Sequence, residues 1–195
     1  MLMLKEYSNF ADLCSSRSRG IDFDTSYEDR KSTWAVIAPH GGKIEPHTGK
    51  IAKIIAQKSI SFYVFTSKTK FQDGYTDHLM STNFDDPNAL KIVASAQWVL
   101  AIHGRHDRKT PDMIWVGGLY EEKRQKIIKK LNSKGFKACE YLSEHGGISK
   151  NNICNKGRLG KGVQLEIPRT LRSKLSTDKS LMTRFVEAFH EFDEG

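Results

Sequence analysis

The residues best suited to chemistry in this sequence are two histidines and an acid near the ends of apolar segments. The segment 32–42 contains His40, Glu45 follows shortly after it, and the segment 97–104 contains His103. Zinc binds imidazole nitrogen and carboxylate oxygen, and a catalytic zinc keeps three protein ligands and one open position. Two glycines between His40 and Glu45 allow a tight backbone turn that brings both side chains together. The pattern indicates a metal site, although a structural role for each histidine explains the same residues.

Five further histidines compete for the role of metal ligand. His106 follows His103 closely and could bind metal or substrate. His145 precedes two glycines, as His40 does, but no acid stands where Glu45 stands relative to His40. The remaining three are His47, His78 and His190. We rank all five below His40 and His103.

Glu166 is a carboxylate in the otherwise apolar segment 163–168. Because side chains of a strand alternate between its two faces, Glu166 faces either solvent or a site. Beside a metal it would serve as the general base for an attacking water. Its local sequence leaves these two interpretations open.

Arginines are frequent around the same segment ends, and the chain carries 31 Lys and Arg against 23 Asp and Glu, a net charge of +8. The planar guanidinium fork suits carboxylates, and a positive chain attracts anionic partners such as nucleic acid, acidic lipid or an acidic polymer. Solubility alone explains the charge equally well. The arginines at these ends are Arg105, Arg158, Arg169 and Arg172.

Apolar runs of strand length alternate with amphipathic segments along the chain. The runs predict six strands, at 32–42, 61–67, 97–104, 113–118, 136–142 and 163–168. Residues 1–30 are polar and mixed, and we expect loops at 15–20 and 71–88. Amphipathic segments predict helices between them, one capped by Thr48 and a last one capped by Thr177. This order is typical of an α/β fold with an open, mixed, mostly parallel sheet flanked by helices, here as a single domain over 1–195. Ligands of such sheets bind at the carboxyl ends of the strands.

Composition excludes several classes of protein. The three cysteines are far apart and show no CxxC spacing, which argues against a disulfide framework or a cysteine zinc site. No apolar run approaches the roughly 20 residues of a membrane helix. The first residues do not resemble a secretory signal, so we expect a cytoplasmic monomer, which lysis could release.

Four blocks of the sequence together resemble the phage-type poly-γ-glutamate hydrolase family. The blocks follow one another in order over about 140 residues: APHGGKIEPHTGKIA, FTSKTKFQDGYTDHLMSTNFDDP, LAIHGRHD and NNICNKGRLGKGVQLEIPRTLR. The resemblance implies a zinc-dependent amidase with a fold related to zinc carboxypeptidases. It implies zinc ligands at His40, Glu45 and His103 and a general base at Glu166. His47 departs from the small residue expected after Glu-Pro.

The implied substrate, poly-γ-glutamate, carries one free α-carboxylate per unit. We therefore expect substrate binding by Arg105, His106, Arg158 and Arg169. One alternative is a nucleic-acid-binding accessory protein of phage replication, a label some family members carry, although no nucleic-acid-binding motif is visible. Another is a zinc amidase acting on a different acyl amino acid or on a cell-wall peptide. Zinc content tests the first alternative, and product analysis tests the second.

Overall fold

The computed structural model describes residues 7–69, 77–189 and Phe192, and these residues form a seven-stranded sheet. The strand order is β1-β3-β2-β4-β7-β5-β6. The strands are β1 (Phe23–Glu28), β2 (Trp34–Gly42), β3 (Ser61–Ser67), β4 (Trp98–Arg105), β5 (Met113–Gly117), β6 (Lys137–Glu140) and β7 (Val163–Pro168). Four neighbouring pairs are parallel, whereas β1 pairs with β3, and β5 with β7, in antiparallel orientation. The predicted mixed, mostly parallel α/β sheet is confirmed.

Helices cover both faces of the sheet. They are α1 (Phe10–Ser16), α2 (Thr48–Ala56), α3 (Pro87–Ser95), α4 (Glu121–Ser133), α5 (Arg169–Thr177) and α6 (Lys179–Glu187), with a short 3₁₀ helix at Ile153–Asn155. Helices α2, α4, α5 and α6 pack on one face, and α1 and α3 pack on the other. None of these helices has the length and apolar character needed to cross a bilayer.

The side chains of the central strands alternate between the two faces of the sheet and contribute to a hydrophobic core on each face. Val36 and Leu100 point into the core beneath α2, while their neighbours Ile37 and Ala101 point into the core beneath α3. All four side chains are fully buried. A strand covered on both faces is apolar at nearly every position, which is why β2 and β4 could be predicted.

The sequence failed to predict one strand and two helices. Strand β1 is an edge strand whose residues are mostly half-buried or exposed, so it contains no apolar run. Helices α1 and α5 were also missed, and residues 71–76 of the predicted loop lie outside the described residues. The cap predicted at Thr177 is wrong, because Asp178 accepts the hydrogen bond from the Leu181 N–H. Thr177 itself ends α5. The cap predicted at Thr48 is also wrong, because His47 occupies the N-cap position and Thr48 is the first residue of α2.

Strands β2, β4 and β7 lie side by side and parallel, so their carboxyl ends meet at one edge of the sheet. His103 on β4 lies directly beside Glu166 on β7 in the hydrogen-bonded register. His40 lies close to the end of β2. This edge therefore collects three of the residues singled out by their chemistry.

Candidate active site at the carboxyl edge of the sheet

A glycine-dependent turn carries Glu45 back to His40. The pairing of β2 with β3 shifts register between Ala38 and Gly41, and Gly42 has a φ of +73°. A Cβ at Gly41 would lie 2.3 Å from the Phe65 carbonyl oxygen, so only glycine fits there. The Glu45 N–H closes the turn by donating to the His40 carbonyl at 2.9 Å.

Three donor atoms converge at this edge. Glu45 Oε1 lies 3.0 Å from His40 Nδ1, and Glu45 Oε2 lies 3.6 Å from His103 Nδ1. One ligand atom from each of the three residues lies within 4.8 Å of the others. Zinc bonds of roughly 2.0–2.1 Å in a tetrahedral site hold their donors about 3.3 Å apart. The spacing therefore fits a small divalent cation.

The hydrogen bonds of His40 also fit a metal ligand. His40 Nε2 lies 2.9 Å from the Leu79 carbonyl, which can only accept, so Nε2 carries the donated proton. Nδ1 then faces the Glu45 carboxylate, another acceptor, and a positive charge is required between them. Metal-binding histidines characteristically donate their second N–H to a carbonyl or carboxylate in this way.

The charges of the three ligands depend on one another. Burial alone raises the pKa of the Glu45 carboxyl, but the nearby His40 and His103 outweigh it and hold that pKa well below its usual range. Burial lowers the pKa of His103, but Glu45 outweighs it and raises that pKa overall. The site thus attracts a proton in the position a cation would take, and metal binding would release it.

Glu166 lines the same cavity as the three donors. Burial, and to a smaller extent Glu45, raise the pKa of Glu166 to about 7. His103 and the hydrogen bond from Gln164 partly offset this increase. A carboxylate with a pKa near 7 is suited to proton transfer at neutral pH. The cavity has a volume of about 330 Å³ and is lined by His40, Glu45, His78, Met80, Ser81, Thr82, His103, Glu144, His145, Asn152, Gln164 and Glu166.

The residues predicted to bind substrate do not line this cavity. Arg105, His106 and Arg169 line a second cavity of about 190 Å³. The Arg105 guanidinium donates to the carbonyls of His106, Asp107, Thr110 and Met113 and stacks on Trp115 at 3.9 Å, so it stabilises the loop after β4.

Arg158 is not brought to this edge. Its N–H donates to the Ala96 carbonyl, just before β4 begins. With a strand rise of about 3.3 Å per residue, the first residue of β4 lies roughly 16 Å from His103.

Several residues of the site escaped prediction from the sequence. Gln164 stands two positions before Glu166 and so shares its face of β7; this spacing was the available signal. His78 packs its ring 4.3 Å from that of His40, and burial lowers its pKa to about 4. Lys43 is exposed, and composition alone does not separate it from other surface lysines, but it lines the second cavity together with the buried Arg172.

Comparison with known proteins places the whole chain in one family. The family model described as poly-gamma-glutamate hydrolase matches residues 7–194. Protein YndL of Bacillus subtilis (strain 168) is 33% identical over 193 residues, which cover 96% of this chain and 75% of YndL.

Solved structures agree with that assignment. A bacteriophage poly-gamma-glutamate hydrolase superposes with a TM-score of 0.86 at 27% identity, covering 96% of each chain. A zinc-free apo structure of YndL gives 0.85 at 28% identity, covering 96% of this chain and 97% of the other. N-formylglutamate amidohydrolase from Ralstonia eutropha JMP134 shares the fold, with a TM-score of 0.58 at 10% identity over 89% and 97% of the two chains.

Proposed function

The chain belongs to the poly-γ-glutamate hydrolase family, and we propose that it is a zinc-dependent amidase that cuts the γ-glutamyl bonds of poly-γ-glutamate. The observation that carries the proposal is the convergence of His40, Glu45 and His103, whose ligand atoms lie within 4.8 Å of one another. Glu166 lines the same cavity and supplies a group for proton transfer.

Zinc is the metal that best suits this donor set. Two imidazoles and one carboxylate are a known ligand combination of catalytic zinc, which leaves a coordination position open. The apo form of the related YndL is described as zinc-free, which supports the same metal here. When bound, zinc would polarise the scissile carbonyl and lower the pKa of a water toward about 7.

The protein residues perform the proton transfers of the hydrolysis. Glu166 accepts a proton from the attacking water, whose oxygen forms a bond to the γ-carbonyl carbon. Glu166 then delivers that proton to the amide nitrogen as the C–N bond breaks. The products are a γ-carboxylate on one fragment and a free amine on the next glutamyl unit.

Basic residues around the edge account for recognition of a polyanion. His106 and Arg169 are exposed and contact carboxylates of the polymer in this proposal. Arg105 holds the loop that carries His106, and Arg158 adds positive charge at a distance. The net charge of +8 attracts the polymer as a whole.

The test is incubation of purified protein with poly-γ-glutamate, with and without a chelator. We expect the polymer to shorten and new amino groups to appear, and we expect the chelator to stop both and added Zn²⁺ to restore them. Intact polymer after incubation with zinc-loaded protein would refute the proposed substrate. Cleavage that is insensitive to complete metal removal would refute the role of zinc.

A further inference from the structure

The cavity that contains His40, Glu45 and His103 has an acidic lining in the part of the chain that the structure describes. Among the described residues that line it there is neither lysine nor arginine. Three glutamates line it instead, namely Glu45, Glu144 and Glu166. A polymer with a carboxylate on every unit therefore requires its charged contacts outside this cavity.

The second cavity, of about 190 Å³, has the opposite character. Among the described residues that line it there is no carboxylate. Its lining residues are Lys43, Ile44, Pro46, Gly104, Arg105, His106, Arg169 and Arg172. The Gly104 N–H donates to Glu45 Oε2 at 2.7 Å, so the second cavity adjoins the metal donors across the end of β4.

Two guanidiniums of this cavity are buried and lack an ion pair with any described residue. Arg105 is 8% exposed and Arg172 is 4% exposed, and neither forms an ion pair with any described residue. The Nε of each has no hydrogen-bond partner in the described part of the chain. Burial lowers the pKa of both groups, although Glu166 and Asp107 attract both guanidiniums from beyond ion-pair distance and Glu45 attracts Arg172. Because burial still outweighs this attraction, a further anion in the cavity would stabilise both charges.

Two further cations remain available at the surface of the cavity. Lys43 precedes Glu45 in the turn after β2, and Arg169 is the first residue of α5. Both are exposed, and within the described residues neither side chain makes a hydrogen bond or ion pair. They can therefore reorient toward a ligand without breaking an existing contact.

We propose that this second cavity is a subsite for the α-carboxylate of the glutamyl unit beside the scissile γ-amide, with Lys43 and Arg169 as direct contacts and Arg172 as the buried charge behind them. This inference rests on the proposed function, because it takes its ligand from the polymer. It assigns Lys43 and Arg172 a role and places carboxylate recognition on one side of the metal donors.

The first test compares Lys43→Met and Arg169→Met with Lys129→Met, which removes one charge from the exposed surface of α4. We expect each cavity variant to raise KM for poly-γ-glutamate about 3- to 10-fold with kcat within about twofold, because charge-assisted hydrogen bonds are lost from substrate and transition state alike. Lys129→Met should leave both constants unchanged. Cavity variants that behave like Lys129→Met would overturn the subsite.

The second test changes the substrate instead of the protein. Short γ-linked glutamate oligomers are compared with oligomers whose α-carboxylates are converted to neutral carboxamides. We expect the wild type to prefer the carboxylate oligomer in kcat/KM about 10-fold or more, and the Lys43→Met/Arg169→Met double variant to lose most of that preference. A double variant with the full preference would overturn the subsite.

The two proposals fail in different ways. A wild type that cuts both oligomers equally well would overturn the carboxylate subsite but would not contradict the proposed amidase activity. A wild type that cuts neither the oligomers nor the polymer would refute the proposed function and, with it, the ligand assigned to the cavity.

Discussion

The side-chain amide of Gln164 donates a hydrogen bond of 2.9 Å to Glu166 Oε1 from two residues earlier on the same strand. The same nitrogen donates to the His145 carbonyl at 2.9 Å, and Gln164 Oε1 accepts from Asn152 at 3.1 Å. Gln164 is 4% exposed, so the nitrogen and the oxygen of its side-chain amide are both fixed in the interior. This network orients the carboxylate that we propose as the general base.

Replacing Gln164 with Met should therefore impair catalysis more than binding. Met keeps the volume but removes the donor to Glu166, and small misplacements of a catalytic group cost up to about 10²-fold in rate. We expect kcat to fall roughly 10- to 100-fold with KM and zinc content little changed, measured by steady-state kinetics and metal analysis. Gln125→Met on the exposed surface of α4 is the control, and equal effects of both variants would contradict a positioning role.

Glu166→Gln should keep the metal and lose most of the activity. The amide has nearly the shape of the carboxylate but cannot accept the proton of the attacking water. Removal of a general acid–base group typically costs about 10²–10⁴-fold in rate. Kinetics and metal analysis of the same sample separate the outcomes: loss of zinc would identify Glu166 as a ligand, and full activity would assign the base to another residue.

His40→Ala and His103→Ala should each abolish both metal binding and activity. We expect about one zinc per wild-type chain, because one set of three donors converges in the described residues. His47→Asn is the control, since His47 is exposed and has a φ of +75°, which Asn tolerates. The measurement is the zinc content of each variant by atomic absorption. A His40→Ala variant that retains stoichiometric zinc would exclude His40 as a ligand.

The fold and the convergence of His40, Glu45 and His103 were predictable for a shared physical reason. Strands β2 and β4 are buried on both faces and are therefore apolar throughout, so a polar residue such as His103 near a strand end is conspicuous. Edge strand β1 carries no such signal, because its exposed positions are polar. The interior strands β2 and β4 therefore carry a clearer signal in the sequence than β1 does.

The surroundings of the site depend on contacts that sequence separation hides. Arg105 follows His103 closely, yet its guanidinium is held by carbonyls of its own loop, including that of Thr110. Arg158 stands close in sequence to Glu166, yet lies beside the start of β4. The type of an arginine indicates that it suits a carboxylate, but only the tertiary structure shows which arginines lie near the candidate site.

Gly104→Ala should destabilise the protein by displacing the guanidinium of Arg172. A Cβ at Gly104 would lie 1.4 Å from Arg172 Nη1, and that nitrogen also donates to the Ile167 carbonyl at 3.0 Å. Overpacking of this kind costs about 1–3 kcal/mol. In an Arg172→Met background the cost should fall by roughly 0.5 kcal/mol or more, a coupling measurable by urea unfolding of all four proteins. Strictly additive effects would show that another contact opposes the methyl group.

Raising the salt concentration should increase KM for poly-γ-glutamate more than it lowers kcat. Lys43 and Arg169 are exposed, so their attraction for polymer carboxylates is screened, with a Debye length of about 10 Å at 0.1 M. Screening weakens binding of substrate and transition state alike, which moves KM and leaves kcat nearly constant. The measurement is KM against ionic strength for the wild type, Arg169→Met and the Lys129→Met control.

The slope of that dependence distinguishes a local contact from the overall charge. Arg169→Met should flatten the slope more than Lys129→Met, because both remove one charge but only Arg169 lines the second cavity. Equal slopes for the two variants would attribute the salt effect to the net charge of +8 alone. A wild-type KM that does not respond to salt would mean that the positive charge serves solubility, and the electrostatic argument for an acidic polymer would lose its physical support.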